Sequence, residues 1–400
     1  MVAKNERTTV VDGIFDSIDT LFAWISSGLG QTTHSYADVQ TADSEFNLVT
    51  HDGSFLSIIR LDGINALIGP EEFEATQNQL INLLNSAMSQ KGHNIQFHYS
   101  YDKDDTVDQL KQYMDPIKKT AVDINLSLDD LIQERIGHLN KYCSAESCHI
   151  SIWTTPELLT KDELSAATKN KQTSQKKDSI PPFRYTQNLL ASYPELRNSH
   201  NAFVGSVCEG MAQLGYGIYC LDVHSAVSAM RNTIDPDFTH PNWRPNLPGD
   251  SIKVRLPNQE ENGPNSATDV LWPSLAQQLM PRDAYNKNLK TVAIGDKIYS
   301  TVFIDLFPQE TQIFNALFIK LLNAQLPWRI SFMIEGGGLE SVRLKGALTS
   351  ILAFSSNANK LINKSVNLLN YIDMNTDSSI VKLRVCATTW APIDDERLLR

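Results

Sequence analysis

The segment that most constrains the fold is a strand-like run at 54–61 with no polar face. Its apolar side chains fall on both sides of an extended backbone: Phe55, Leu56, Ile58, Ile59 and Leu61. Such a strand is expected only where a sheet is covered on both faces. A shorter apolar run at 46–51 precedes it, and Asp52 with Gly53 favours a two-residue turn with positive φ angles. The sequence therefore predicts a β-hairpin whose second strand lies inside a sheet.

A helix and a third strand follow this hairpin. Pro70 suits a first helical position, and Glu71 and Glu72 favour the positive end of the helix dipole. Apolar residues then recur at helical spacing until Gly92, where we expect a left-handed C-cap. The run 94–101 alternates between polar and apolar residues, as a half-buried strand does. Two further helices and a strand at 146–155 complete the order ββαβ, helices, β.

The same order recurs towards the C-terminal end of the chain. A second hairpin, a helix, a strand, two helices and a last strand are predicted at 292–294 with 298–306, 309–324, 328–334, 339–354, 358–371 and 380–390. No residue-level identity links the two halves, so the repeat is one of order only. We predict an α/β (α+β) fold of two ββαβαβ-like modules of similar topology. A helical, loop-rich insert joins them, and an amphipathic helix precedes them.

These patterns divide the chain into five segments. They are an N-terminal amphipathic arm, a first α/β module, a helical insert with a Pro-rich loop, a second α/β module, and the start of a linker to a further domain, at 1–44, 45–156, 157–290, 291–392 and 393–400. The last segment reads as the opening of a new helix. We therefore expect the sequence to continue beyond it.

The insert contains two segments without regular periodicity. The run 165–179 is polar and basic, which predicts a mobile, solvated loop rather than a nucleic-acid or lipid site; its lysines are Lys169, Lys171, Lys176 and Lys177. Six prolines between 235 and 264 exclude regular helix and central strand. We interpret that stretch as an extended surface segment and a candidate for contacts between subunits.

The arm carries an amphipathic helix at 10–29. Its apolar stripe consists of Ile14, Phe15, Ile18, Leu21, Phe22 and Ile25. Asp12, Asp16 and Asp19 lie on the remaining surface, whereas membrane-surface helices prefer Lys and Arg there. We therefore expect the stripe to pack on protein. Two alternatives stay open: the core of this chain, or a partner subunit bound by these six residues.

Charge and cysteine usage restrict the class of protein. A net charge of −11 argues against nucleic-acid binding over the whole surface, because phosphate neutralisation needs an excess of Lys and Arg. Five cysteines, an odd number in a chain of 400 residues, favour a reducing compartment over a disulfide scaffold. No secretory signal and no run of about 18 apolar residues is visible. The chain reads as cytoplasmic.

No catalytic, cofactor or metal site is predicted within these residues. A P-loop needs a Gly-Lys pair, and the sequence contains none. The glycines at 336–338 have the wrong spacing, so a strand-to-helix turn is favoured over anion capture at a helix N-terminus. Cys143, Cys148 and His149 form only one short-spaced pair, so buried, reduced cysteines are favoured over a zinc site. His98 and His224 have no catalytic partner at a fixed spacing.

A resemblance to a known family arises from the opening stretch. The hairpin THDGSFLSIIRLDGI, the helix with an acidic start and the strand GHNIQFHYSYD resemble the N-terminal domain of conjugation and type IV secretion ATPases of the TraC/TrbE kind. The similarity extends over essentially all 400 residues, from VAKNERTTVVDGIFDSIDTLFAWISSGLG onward. The chain is very similar to the DotO-like (IcmB-like) members found in Dot/Icm systems.

The resemblance implies a non-catalytic module that docks an ATPase at the cytoplasmic face of a bacterial inner membrane. Expected partners are inner-membrane secretion channel subunits, further copies of the chain in a hexamer or hexamer of dimers, and the second secretion ATPase, DotB. ATP and Mg would bind in a C-terminal domain that these residues do not include. From the residues alone, a free-standing enzyme with an unrecognised site and a scaffold remain alternatives.

Overall fold

The computed structural model describes most of the chain. The described residues are 37–64, 66–177, 186–235, 243–250, 272–280, 282, 284–288, 291–304, 326–337 and 381–394. The helices predicted at 10–29, 309–324, 339–354 and 358–371 lie outside these residues. None of the helices described is both long enough and apolar enough to cross a membrane.

Strands and helices alternate irregularly along the chain. The first part contains β1 Val39–Ala42, β2 Leu48–Thr50, β3 Phe55–Ile64, α1 Pro70–Met88, β4 His93–Asp102, α2 Thr106–Asp123, α3 Asp129–Leu139, β5 Ala145–Thr154 and α4 Lys161–Lys177. The second part contains α5 Pro194–Gln213, β6 Tyr216–Cys220, α6 Val223–Ile234, α7 Leu275–Leu279, β7 Ala284–Asn288, β8 Thr291–Ile294, β9 Lys297–Ile304, β10 Trp328–Glu335 and β11 Lys382–Pro392.

The strands form one antiparallel sheet in the order β1-β2-β3-β5-β4-β10-β11-β9-β8-β7, with β6 beside β3. Strands β2-β3-β5-β4 and β8-β9-β11-β10 thus share one spatial order, and the two sets meet where β4 pairs with β10. Helices packed with an antiparallel sheet confirm an α+β fold. The helices of the second set lie outside the described residues, so equivalence of the complete modules stays a prediction.

Strand β3 is covered on both faces, as its sequence predicts. One face packs against α1 and α5 through Ile59, Phe203 and Val207. The other packs against α6 and α7 through Leu56, Ile58, Val227 and Leu275. Each large apolar side chain buried in this way contributes about 1.5–3 kcal/mol. Helices α5, α6 and α7 belong to the predicted insert, so the insert contributes to both layers that bury the first strands.

The predicted two-residue turn of the first hairpin is wrong. The Thr50 N–H donates to Ser54 O at 2.9 Å, so residues 51–53 form a three-residue loop. Only Gly53 has a positive φ, of 87°, whereas Asp52 does not. The Asp52 carboxylate instead accepts hydrogen bonds from the Ser54 N–H at 3.0 Å and from the Ser54 hydroxyl at 2.9 Å. Aspartate makes such local bonds readily, and here they favour the longer turn.

Helix α1 begins where it is predicted and ends earlier. The Glu72 carboxylate accepts a hydrogen bond from the Gly69 N–H at 2.9 Å, which satisfies a backbone group at the helix start. The helix ends at Met88, and its C-cap Ser89 is right-handed. Gly92 has the expected left-handed φ, 94°, but it lies in the turn before β4 instead of capping the helix.

The polar run at 165–179 is not the mobile loop that was predicted, because residues up to Lys177 belong to α4. Thr160 and Glu163 form a capping box at its start. Lys171 donates to Ala191 O, and its Nζ lies 4.4 Å from the centre of the Tyr193 ring. Burial lowers the pKa of Lys171. Tertiary contacts thus stabilise a helix that has little apolar periodicity.

Part of the Pro-rich segment also differs from its prediction. Leu247 is fully buried and packs in the cluster that contains Leu56 and Val227. The Asp250 carboxylate accepts a hydrogen bond from the Leu247 N–H at 2.9 Å and closes a turn around it. Residues 243–250 are therefore anchored in the core instead of draped over the surface. The stretches 236–242 and 251–271 lie outside the described residues.

The hairpin turn supplies a stability test. In Gly53→Ala a Cβ atom would lie 2.5 Å from two ring carbons of Tyr193, at a positive φ. Gly215→Ala is a matched control, because Gly215 has a φ of 85° and open space around it. The control should lose roughly 1–2 kcal/mol of unfolding free energy, and Gly53→Ala clearly more. Urea unfolding of both variants measures the difference, and equal losses would contradict the close approach to Tyr193.

Candidate functional site

The sheet has a polar face over β5, β4, β10 and β11. Residues in register across these strands share a face. One row contains Ser151, Gln96, Met333 and Arg384, and the next contains His149, His98, Ser331 and Cys386. The turn at 51–54, the end of β9 and part of these rows line an open trough of about 900 Å³; the row residues that line it are Gln96, Ser331, Met333, Arg384 and Cys386. The Gln96 amide donates to the Ser331 hydroxyl at 2.7 Å across the β4–β10 joint.

Charged groups around the trough include both signs. Asp38 and Asp52 lie on the side of the first hairpin, and Arg384 lies on β11. Arg384 pairs with Glu335 at 2.6 Å, and Lys382 lies 3.4 Å from the same carboxylate. Since the acidic and basic groups largely compensate each other, the trough does not favour a strongly charged ligand.

His224 has partners that the sequence spacing does not reveal. Its Nε2 lies 2.9 Å from an oxygen of Asp250, and its Nδ1 lies 3.8 Å from Asp222. Burial alone raises the pKa of Asp250, but hydrogen bonds from His224 and from the Leu247 N–H outweigh it and lower that pKa. Both imidazole nitrogens face carboxylates, so neither is placed to activate a nucleophile. The contact ties α6 to the 243–250 segment.

The glycines after β10 are engaged by the chain itself. The Gly336 N–H donates to His93 O at 2.9 Å, and the Gly337 N–H donates to Met88 O at 3.2 Å. A Cβ on Gly336 would lie 2.6 Å from Gln90 O, so glycine is needed for this close approach. These two amides are not open to a phosphate. Gly338 and the segment after it lie outside the described residues.

The cysteines and their neighbours show no metal centre in the described part of the chain. No group of three potential His, Cys, Asp or Glu ligands occurs among the residues described. Burial raises the pKa values of Cys148 and Cys208 to about 11, so both are protonated thiols near pH 7. The prediction that these cysteines are buried is wrong for Cys143, which is a free thiol exposed at the surface.

A fully buried histidine between the sheet and α5 was missed by the sequence analysis. The Ser57 hydroxyl donates to Phe46 O at 2.9 Å, so it accepts from His200 Nε2, also at 2.9 Å. The Thr154 hydroxyl donates to His200 Nδ1 at 2.9 Å. Burial lowers the pKa of His200 to about 4, so the imidazole is neutral near pH 7, and with Nε2 as the donor its Nδ1 is the acceptor from Thr154. We interpret the network as structural.

An exposed apolar surface on the helices α2 and α3 was also missed. Seven of the 16 large apolar side chains exposed in the described part of the chain lie in or beside these two helices. We call this set the α2–α3 apolar surface: Tyr113, Ile117, Val122, Ile124, Leu126, Leu131 and Tyr142. The sequence contains a signal for this surface, because α2 and α3 carry more apolar residues than one buried stripe per helix requires.

The predicted partner-binding residues cannot be compared with this surface. Ile14, Phe15, Ile18, Leu21, Phe22 and Ile25 all lie outside the described residues. Neither the protein-family models nor the curated proteins give a match to this chain.

The buried histidines predict a loss of stability in acid. His98 and His200 have folded-state pKa values of about 4, below the ordinary 6.5. Between these pH values the unfolded chain binds more protons, so the unfolding free energy falls as the pH drops from about 6.5 to about 4. The loss is on the order of 3 kcal/mol per histidine.

Urea unfolding at a series of pH values checks this prediction. In His200→Gln the unfolding free energy should fall less steeply with decreasing pH than in the unchanged chain, whatever the stability of the variant at neutral pH. Replacement of the exposed His138 by glutamine serves as the control and should leave the decline unchanged. Parallel declines for all three proteins would contradict the role assigned to His200.

Proposed function

We propose that this chain is the non-catalytic N-terminal module of a type IV secretion ATPase of the TraC/TrbE kind, similar to the DotO-like members. In this proposal it docks the ATPase on inner-membrane channel subunits and helps it to oligomerise for the export of effector proteins. The resemblance in the sequence suggests the family. The α2–α3 apolar surface is the observation that carries the docking role.

The α2–α3 apolar surface has the character of an interface. Single exposed apolar residues are normal on proteins, but a concentrated set of them marks an interaction site. Helices α2 and α3 contact each other, and their buried side chains include Met114, Ala121 and Ile136. A salt bridge of 3.0 Å between Lys118 and Asp129 also links them at the surface. Apolar and aromatic side chains are typical of the buried part of a protein interface.

The remaining parts of the proposal follow from the resemblance. The arm, with Ile14, Phe15 and Ile18 in its stripe, would add a second contact to a channel subunit. The module would form a hexamer or hexamer of dimers and would meet the second ATPase, DotB, at the cytoplasmic face of the inner membrane. ATP and Mg would bind at a P-loop in a separate domain. A GxxxxGK[ST] motif in downstream sequence would distinguish this proposal from a stand-alone scaffold.

A recruitment assay tests the docking role. In cells that contain the secretion channel, the 1–400 chain should move to the inner membrane. The double variant Ile117→Glu with Leu131→Glu should reduce this recruitment at least tenfold, because two apolar contacts are replaced by desolvated charges. Deletion of residues 1–30 tests the arm in the same assay. Membrane fractionation and the oligomer mass are the measurements.

The control variant adds equal charge at exposed polar positions of the same helices. Gln112→Glu with Gln133→Glu should leave recruitment unchanged. The docking role of the α2–α3 apolar surface is excluded if both double variants behave alike. If the unchanged chain never reaches the membrane and stays monomeric, the proposed function itself fails.

A further inference from the structure

A second, smaller cavity lies beside the trough, between the sheet and the helices α6 and α7. Its volume is about 240 Å³. The helices and β3 contribute apolar side chains, among them Ile58, Met230, Ile234, Leu279 and Met280. The strands β4 and β5 contribute polar ones: Gln96, His98, His149, Ser151 and Trp153. A largely apolar cavity with a few polar groups is the usual form of a small-molecule site.

Two polar atoms of this lining are buried without a hydrogen-bond partner among the described residues. They are Trp153 Nε1 and His98 Nδ1. The indole N–H is a donor only, so Trp153 requires an acceptor. A buried donor left unpaired is destabilising, and structures rarely retain one without a reason. A ligand oxygen at this position would remove that cost.

The cavity favours an uncharged occupant. Burial lowers the pKa of His98 to about 4, with added repulsion from Arg329 and His149. Burial also lowers the pKa of His149, with Arg60 contributing. Both imidazoles are therefore neutral near pH 7, and the carboxylate of Asp38 is exposed at the edge. A charged ligand would lose its hydration here, and the exposed Asp38 is the one charged side chain among the lining residues described.

We propose that this cavity binds a small, neutral, mainly apolar molecule whose carbonyl oxygen accepts a hydrogen bond from Trp153 Nε1. The neighbouring trough provides the way in, because Asp38, Gln96 and Trp153 line both spaces. The apolar body of the ligand lies against Ile58, Met230 and Leu279. This site is independent of the proposed docking role.

Benzamide is the first probe, since it combines a neutral planar ring with an amide carbonyl. In spectra of the chain with ¹⁵N-labelled tryptophan, benzamide should shift the Trp153 indole N–H signal downfield in a saturable manner. Toluene has the ring without the acceptor, and benzoate carries a charge. Both should bind at least about tenfold more weakly than benzamide, as loss of one hydrogen bond or burial of a charge requires.

Matched variants locate the binding. Trp153→Phe keeps the packing but removes the donor, and it should weaken benzamide binding about tenfold by calorimetry. Trp243→Phe is the control, because Trp243 packs on the same core cluster but does not line the cavity. Ala229→Leu, on α6, should fill the cavity and abolish binding. The indole signals of the remaining tryptophans report whether each variant is folded.

The outcome can overturn the proposal in two ways. If benzamide produces no saturable shift of the Trp153 signal, the indole N–H is satisfied by ordered water only. If Trp153→Phe and Ala229→Leu bind benzamide as tightly as the unchanged chain, the ligand binds elsewhere. N-acetyl-phenylalaninamide presents the same ring and carbonyl on a peptide. Tighter binding of this compound than of benzamide would support the site and identify a polypeptide side chain as its natural occupant.

Discussion

The packing of strand β3 is the constraint on which the first half of the structure depends. Because neither face of β3 is polar, two separate layers of helices have to cover it. Helices α1 and α5 form one layer, and α6 and α7 form the other. The buried His200 lies at one of these interfaces, between Ser57 and Thr154, and Leu247 is held in the other. The insert is therefore part of the core.

The joint between β4 and β10 extends this core into a single sheet. Eight residue pairs lie opposite each other there, and Trp328 packs on Tyr99 and Tyr101 across it. The side of the joint that carries these aromatic rings is apolar. The opposite side carries Gln96, Ser331 and Arg384, and it forms the floor of the trough. Joining the two four-stranded sets in this way brings β4, β10 and β11 together as the floor of the trough.

The two proposed binding surfaces differ in the interaction that each one offers to its partner. The α2–α3 apolar surface lies on a helical pair whose outer residues, such as Tyr113 and Leu131, expose apolar area to solvent. Apolar burial drives protein association, which makes this pair the docking candidate. The cavity under α6 instead combines a small volume with the unpaired donor of Trp153. At such a site, specificity for a small molecule comes from a single directed hydrogen bond and not from a large contact area.

Local patterns in the sequence determined several of the strands and where helix α1 begins. Alternation at 94–101 and Glu72 at the start of α1 depend on residues close in sequence, so they were readable. Tertiary structure alone decided the pairing of β4 with β10, the helical state up to Lys177, the burial of Leu247, and the partners of His200 and His224. These depend on contacts between residues far apart in the chain, whose energies no local periodicity encodes.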